Sequence, residues 1–227
     1  MSRIRKFYEN RFRRLAVKLG KTSEEVAHAS LDRAAALRQR EHLHPDLALA
    51  LVHADLRRAT GETAGFPQRF LCDGGLGGLA RWLRAAGYES AWNPELDDAG
   101  IIAEAKQAGA TLLTTDTMMM ERGVLRDGWL PAICVPSSLK RGEQLAVVLR
   151  EAGLELRPPR CMACGGELRP VPRETIASRI PPRTALWLKD YFVCAQCHQL
   201  FWHGTHWRKI ARELERSSRV GCLDLPP

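Results

Sequence analysis

The chain has 227 residues, of which 45% are hydrophobic and 26% charged, an ordinary composition for a globular protein that argues against a disordered chain. No run of about 18 apolar residues occurs, which excludes a transmembrane helix, and the basic N-terminus lacks the apolar stretch of a signal peptide, so we expect a cytoplasmic protein. The net charge of +8 divides into +5 over residues 1–66, −3 over 67–156 and +6 over 157–227. Two basic flanks around an acidic middle favour a polyanionic partner, although a solvated surface would carry the same charges.

Residues 1–66 are predicted to form a basic helical region. A first helix ends near Gly20, a second starts at the capping-box pair Thr22 and Glu25, and a third starts at Pro45. The turn at Gly20 also has the spacing of a helix-turn-helix, which is common by chance. The first 21 residues contain eight basic side chains and one acid, which suits either an arm that contacts phosphate or a docking surface for a protein partner.

Residues 67–156 alternate between strand-like and helix-like segments. Strands are predicted at RFLCD, ESAWN, TLLTTD and PAICVP, and helices at GLGGLARWLRAAG, DDAGIIAEAKQAGA and RGEQLAVVLREAG. This alternation predicts an α/β fold in which helices flank a parallel sheet and the crossovers are right-handed.

Acidic side chains lie at the ends of these segments. Asp73 and Asp116 directly follow strand-like runs, and Asp97 and Asp98 open a helix. Ligands bind beyond the carboxyl ends of the strands in an open parallel sheet, so we expect these carboxylates at one edge. Clustered carboxylates repel one another unless a cation lies between them, and Mg²⁺ or Mn²⁺ there could orient a phosphodiester and activate water. Each acid alone could equally be a helix N-cap or a turn residue.

The cysteines of the last third form two CxxC pairs, Cys161 with Cys164 and Cys194 with Cys197. The total of seven cysteines is odd, which argues against a disulfide framework. Two knuckles of this kind can bind zinc tetrahedrally through four thiolates, and such a closed site leaves no position for a substrate. Soft thiolates favour Zn²⁺ or an iron–sulfur cluster. We expect structural Zn²⁺, with a redox pair or a chance spacing as the alternatives.

Basic and aromatic residues provide candidate RNA contacts. Trp207, Arg208 and Lys209 combine an aromatic surface with positive charge, which suits single-stranded RNA. Arg81 and Arg84 lie three residues apart on one predicted helix and share a face that could contact phosphate. Packing of the tryptophan, and a solvated face or salt bridges for the arginines, are the alternatives.

Several of these segments together resemble the Mut7-C ribonuclease family, a branch of the PIN-like nucleases. The resemblance covers residues 68–210 and is carried by FLCDGGLGGLARWLRAAGY, by the DD pair with LLTTD, and by the CxxC…CxxC segment that ends in FWHGTHW. It implies a PIN-like fold with a C-terminal zinc ribbon. It also implies a metal-dependent ribonuclease in which Asp73, Asp98 and Asp116 hold Mg²⁺ or Mn²⁺, with Asp97 beside them, and RNA, such as tRNA or another structured RNA, as the partner.

The sequence departs from the family pattern near two of these acids. Thr115 and Thr117 stand where the family usually carries basic residues, and Gly74 and Gly75 are unusual after the first acid. These departures favour an alternative in which the chain is a non-catalytic nucleic-acid-binding module or a toxin-like regulator that retains the fold.

Four regions are expected along the chain. They are a helical region over residues 1–66, a nuclease domain over 67–156, a zinc ribbon with the basic tryptophan-rich segment over 157–215, and a tail over 216–227.

Overall fold

A computed structural model of the chain describes residues 2–221. Three α-helices form the N-terminal part of the chain. They are α1 (Arg3–Leu19), α2 (Ser23–Glu41) and α3 (Pro45–Ala59). Gly20 adopts a left-handed conformation with φ of 63°, and its N–H donates to the carbonyls that α1 leaves free. Thr22 and Glu25 form the predicted reciprocal capping box. Local sequence signals therefore define these helix ends.

Four parallel strands form the central sheet. They are β1 (Arg69–Cys72), β2 (Glu89–Trp92), β3 (Thr111–Thr114) and β4 (Ala132–Cys134), in the order β2-β1-β3-β4. The intervening α-helices are α4 (Gly77–Ala85), α5 (Asp98–Ala108) and the short α6 (Gly123–Arg126), and α7 (Arg141–Glu151) follows β4. All four residues of β3 are buried, as expected for a central strand covered on both faces. The predicted α/β fold is confirmed.

The C-terminal part contains a second, antiparallel sheet. Its strands are β5 (Leu168–Val171), β6 (Tyr191–Cys194) and β7 (Leu200–Trp202), with the short α8 (Pro182–Ala185) before β6. A small apolar cluster of Ile176, Ile180 and Tyr191 supports this sheet. The final helix α9 (Thr205–Arg219) runs past residue 215, where we expected a tail to begin, because Ile210 and Leu214 pack into the main core. Residues 222–227 of that expected tail lie outside the described residues.

The N-terminal helices and the parallel sheet share one hydrophobic core. Phe12 and Leu51, from α1 and α3, belong to the same buried cluster as Phe70 and Leu112, from β1 and β3. Helix α3 packs against α7, and the Tyr8 hydroxyl donates to the Cys134 carbonyl at 3.3 Å. Helices α1–α3 therefore cover α7 and the edge strand β4 of the sheet unit.

A buried ionic cluster joins α3 to α7. The Arg57 guanidinium pairs with the Glu151 carboxylate, and His53 Nδ1 lies 3.9 Å from Glu151 Oε2. Burial lowers the pKa of His53 because a buried site disfavours the charged imidazolium. Burial alone would raise the pKa of Glu151, but the Arg57 charge, together with the hydrogen bonds and charge that His53 and Arg57 supply, lowers that pKa. None of the helices between residues 2 and 221 combines the length and apolar character needed to span a bilayer.

Candidate active site and cysteine cluster

Asp73 lies at the carboxyl end of β1, where backbone and side-chain donors surround it. Its Oδ2 accepts hydrogen bonds from the Thr114 hydroxyl at 2.6 Å and from the Thr115 N–H at 2.7 Å. Its Oδ1 accepts a third bond from the Gly75 N–H at 3.1 Å. The residue is only 8% exposed. The carboxylate is therefore held in one orientation at the sheet edge.

Asp116 follows the neighbouring strand β3 and is linked to Asp73 through one side chain. The Asp116 N–H donates to Thr114 Oγ1 at 3.0 Å, the same hydroxyl that donates to Asp73. Asp116 Oδ1 accepts from the Met118 N–H at 2.7 Å. Because β1 and β3 are adjacent and parallel, the chain places both acids at the same edge, as the sequence predicted.

The remaining predicted acids lie at the start of α5. Asp97 is the N-cap of this helix, and its Oδ1 accepts from the Gly100 N–H at 2.8 Å, the ordinary structural role that the sequence left open. Asp98 Oδ2 accepts from Arg122 Nη2 at 2.9 Å. Helix α5 follows β2 and Arg122 follows β3, so this ion pair connects the segments that come after the two strands flanking β1.

The three predicted acids are less closely grouped than the cysteines. Among residues 2–221, the four thiols are the only set of three or more His, Cys, Asp or Glu side chains whose ligand atoms all lie within 4.8 Å of one another. Asp98 and Asp116 instead have arginine neighbours. Arg122 pairs with Asp98, and Arg3 Nη2 lies 3.7 Å from Asp116 Oδ1. Arg3 also donates to the Thr117 hydroxyl at 3.1 Å.

Three residues around the acids, Thr114, Arg3 and Arg122, were not predicted from the sequence. Thr114 lies in the TLLTTD segment, two residues before Asp116. A hydroxyl side chain so close to a strand-end acid was the signal that could have identified it. The arginines carry no comparable signal, because they are far in sequence from the acids that they contact.

Arg81 and Arg84 have different surroundings although both are on α4. Arg81 is exposed beside the glycine-rich start of the helix. Arg84 is partly buried and donates to the carbonyls of Ser90, Met162 and Ala163 at 2.8, 3.1 and 2.7 Å. Arg84 thus connects the edge strand β2 to the first cysteine knuckle, and within the described chain it forms none of the salt bridges to nearby acids that the sequence suggested.

The other candidate RNA contacts lie on α9. Trp207 stacks on His203, with ring centroids 5.4 Å apart and planes at 21°, and packs against the main core. The Arg208 guanidinium lies over the Trp187 ring, 5.8 Å from its centroid, and Lys209 is exposed. Trp207 therefore has the packing role that was the alternative to an RNA contact.

The two CxxC pairs converge at one end of the antiparallel sheet. The Sγ atoms of the four cysteines all lie within 4.8 Å of one another. Cys161 and Cys197 are 3.6 Å apart, and Cys164 and Cys194 are 3.4 Å apart. Backbone N–H groups of Gly166 and Gln196 donate to sulfur, each at 3.4 Å, as in a metal-binding knuckle.

Ionisation of the thiols differs across the cluster. Burial raises the pKa of Cys161 to about 12. Burial also opposes ionisation of Cys194, but backbone N–H groups and the neighbouring thiols outweigh it and lower that pKa to about 6. Four closely grouped sulfur ligands fit a zinc ribbon. This cluster could hold Zn²⁺ as a structural ion, as the sequence predicted.

The sequence matches the family model of the Mut7-C RNAse domain over residues 68–214. The chain belongs to the Mut7-C family. Membership suggests ribonuclease activity and RNA as the substrate, in agreement with the resemblance found from the motifs. The match begins at residue 68, so helices α1–α3 precede the Mut7-C region. Neither the curated proteins nor the solved structures contain a significant match to the sequence.

Proposed function

We propose that the chain is a metal-dependent ribonuclease that hydrolyses RNA phosphodiester bonds at the carboxyl edge of the parallel sheet. Asp73, Asp98 and Asp116 would hold Mg²⁺ or Mn²⁺. The observation that carries the proposal is the pair of acids on adjacent strands, Asp73 and Asp116, linked through the Thr114 hydroxyl. Carboxylate oxygens are the ligands that both cations prefer.

A divalent cation at this edge would supply Lewis acidity and a nucleophile at neutral pH. The residues of the chain prepare the site for it. Three donors fix Asp73, so its carboxylate needs no reorganisation when a ligand arrives. Arg3 and Arg122 have side chains that are 68% and 47% exposed, so they can turn from the acids towards a phosphate.

The cysteine cluster has a separate role in this proposal. Cys161, Cys164, Cys194 and Cys197 would bind structural Zn²⁺, which stabilises a segment whose own core is small. Four thiolates complete a tetrahedral site, so the reaction is assigned to the acids and not to the zinc.

A second candidate function is a nucleic-acid-binding module without catalysis. The ion pairs of Asp98 with Arg122 and of Asp116 with Arg3 favour it, because they neutralise two of the three acids without a metal ion. Thr115 and Thr117, which replace basic residues of the family pattern, are consistent with the same alternative.

The Asp116→Asn variant separates the two functions. End-labelled tRNA and a single-stranded RNA are incubated with pure protein, with and without Mn²⁺. We expect Mn²⁺-dependent cleavage by the wild type and a loss of at least about 100-fold in the variant, because even residues behind metal ligands contribute 10–100-fold. The control is Asp32→Asn, which changes an exposed acid on α2.

The outcome decides between the candidates directly. RNA binding by both proteins without cleavage by either would contradict the ribonuclease and support the binding module. Cleavage that persists in Asp116→Asn would place the reaction at other residues.

A further inference from the structure

A cleft begins beside Asp73 and runs between the first turns of α4 and α7. Two cavities, of about 430 and 590 Å³, meet there, and both are lined by Gly75, Gly78 and Arg141. A Cβ atom built on Gly75 would lie 3.5 Å from Asp73 Oδ1. The cleft, which we call the α4–α7 cleft, therefore lies next to the candidate active site.

At the start of α4, the side chains of Trp92 and Arg141 pack directly on the glycine backbone. A Cβ atom on Gly77 would lie 2.6 Å from the Trp92 ring, and one on Gly78 would lie 2.7 Å from Arg141 Nε. Any larger residue at either position would displace one of these two side chains. Trp92 is 43% exposed, and its Nε1 donates to the Gly74 carbonyl at 3.1 Å, so the ring is held at the cleft wall.

The walls of the cleft carry cations that lack acidic partners. Arg81 from α4 and Lys140 and Arg141 at the start of α7 are exposed, and within residues 2–221 none of the three forms an ion pair. Other arginines of the sheet unit, such as Arg69 and Arg122, are paired with carboxylates. Unpaired cations that face one another across a cleft favour a ligand with repeated negative charge.

We propose that the α4–α7 cleft binds a single RNA strand and leads it to Asp73. This inference rests on the proposed ribonuclease function. Phosphates would lie between Arg81 and the pair Lys140 and Arg141, close to the glycine backbone, and a base would stack on Trp92. A single strand fits better than a duplex, because a duplex hides the faces of its bases inside the helix.

The test measures RNA affinity with cleavage suppressed. Fluorescence anisotropy follows a short labelled single-stranded RNA bound to the Asp116→Asn protein without added Mg²⁺ or Mn²⁺. The double change Arg81→Gln and Arg141→Gln should lower the affinity at least about 10-fold and reduce the salt slope by about 1.4, because each phosphate contact on a single strand contributes about 0.7. The matched control is Arg38→Gln, which removes an exposed arginine on α2 and should change neither quantity.

A second set of variants tests the base contact. Trp92→Phe should retain most of the affinity and Trp92→Ala should lose about 5-fold or more, since stacking of one base contributes about 1–3 kcal/mol. Circular dichroism and zinc content confirm that each variant is folded.

The outcomes distinguish this inference from the proposed function. Unchanged affinity and slope in the double variant, with Mn²⁺-dependent cleavage by the wild type, would overturn the cleft and leave the ribonuclease in place. Loss of affinity in the double variant, without cleavage by the wild type, would support the cleft and overturn the ribonuclease. Tighter binding of a duplex than of a single strand would overturn the substrate class, and no RNA binding by the wild type would overturn both.

Discussion

At the scale of single residues, Thr114 is the side chain that joins the two acids at neighbouring strand ends. Its hydroxyl donates to Asp73 Oδ2 and accepts from the Asp116 N–H, and the residue is fully buried. A buried hydroxyl with both a donor and an acceptor contact is fixed in rotation. Thr114 therefore sets the relative position of two groups that act together in the proposed reaction.

The Thr114→Val variant tests this role, because valine has nearly the same shape and no hydroxyl. We expect a loss of about 1.5–3 kcal/mol in the free energy of unfolding, as for a hydrogen bond to a charged group, and a drop in cleavage of at least about 10-fold. The matched control is Thr111→Val at the other end of β3, where an equally buried hydroxyl donates to the Pro67 carbonyl at 2.8 Å. Urea denaturation and the cleavage assay should show Thr111→Val destabilised but active. Equal activity in both variants would contradict the role of Thr114.

His53 gives the protein a defined dependence on pH. Burial lowers its pKa below the ordinary value of 6.5, so the unfolded chain binds a proton more readily than the folded chain. The free energy of unfolding is therefore not reduced by His53 above pH 6.5. It decreases as the pH falls below that value, because the unfolded chain then takes up a proton that the folded chain does not. His53→Phe should remove this dependence on pH while preserving the ring contacts to Tyr8 and Phe12.

Urea denaturation at pH 7.5 and 5.5 measures the effect. The wild type should lose more stability between these values than His53→Phe. Replacement of the exposed His28 by Gln should leave the wild-type difference in place. An equal pH dependence in the wild type and His53→Phe would contradict a neutral buried His53.

At the scale of secondary structure elements, Arg84 connects α4 to the cysteine knuckle. Its guanidinium donates to carbonyls of β2 and of the CxxC loop, and so orients the first two cysteines relative to the parallel sheet. Arg81, one turn earlier on the same helix, makes no such contacts within residues 2–221 and lines the α4–α7 cleft. The two arginines of α4 therefore differ in role: Arg84 supports the cysteine knuckle, and Arg81 lines the cleft.

The pair Arg84→Ala and Arg81→Ala tests this division. Arg84→Ala should release zinc to a chromogenic chelator at least about 10-fold faster than the wild type, because a residue that orients a metal ligand contributes 10–100-fold to metal affinity. Arg81→Ala should retain the wild-type release rate and lose RNA affinity. Zinc release from Arg84→Ala at the wild-type rate would contradict a supporting role for this side chain.

At the scale of the whole molecule, the N-terminal helices complete the core of the sheet unit. Phe12, Leu47, Ala50 and Leu51 are at most 1% exposed, and they share one cluster with the strands. Burial of each large apolar side chain contributes about 1.5–3 kcal/mol, so together they are comparable to the total stability of a domain, about 5–15 kcal/mol. We therefore expect the Mut7-C region to depend for its stability on residues that precede it.

Deletion of residues 1–66 tests this dependence. We expect residues 67–227 to lose cooperative unfolding and to bind a hydrophobic dye, because the deletion uncovers α7 and β4. Full-length protein is the control. A sigmoidal urea transition in the fragment, with no dye binding, would show that the helices are a dispensable appendage.

The sequence by itself determined most of the secondary structure of the sheet unit and the residue types that could bind metal. Alternating strand-like and helix-like segments predicted the four strands and helices α4, α5 and α7, but not the short α6. Capping signals located the end of α1 and the start of α2, and CxxC spacing identified the four thiols. These features depend on neighbours along the chain, so they are visible without a structure. The placement of Asp73 and Asp116 at one edge also followed, because parallel strands end on the same side.

Only the tertiary structure decided which long-range contacts each side chain makes. It paired Asp98 with Arg122, and it brought Arg3 to Asp116 from 113 residues away. It directed Arg84 to the knuckle instead of the acids, and it placed Lys140 and Arg141 opposite the glycine-rich start of α4. The physical reason is that chain folding sets distances between residues remote in sequence, which no local pattern of residue types contains.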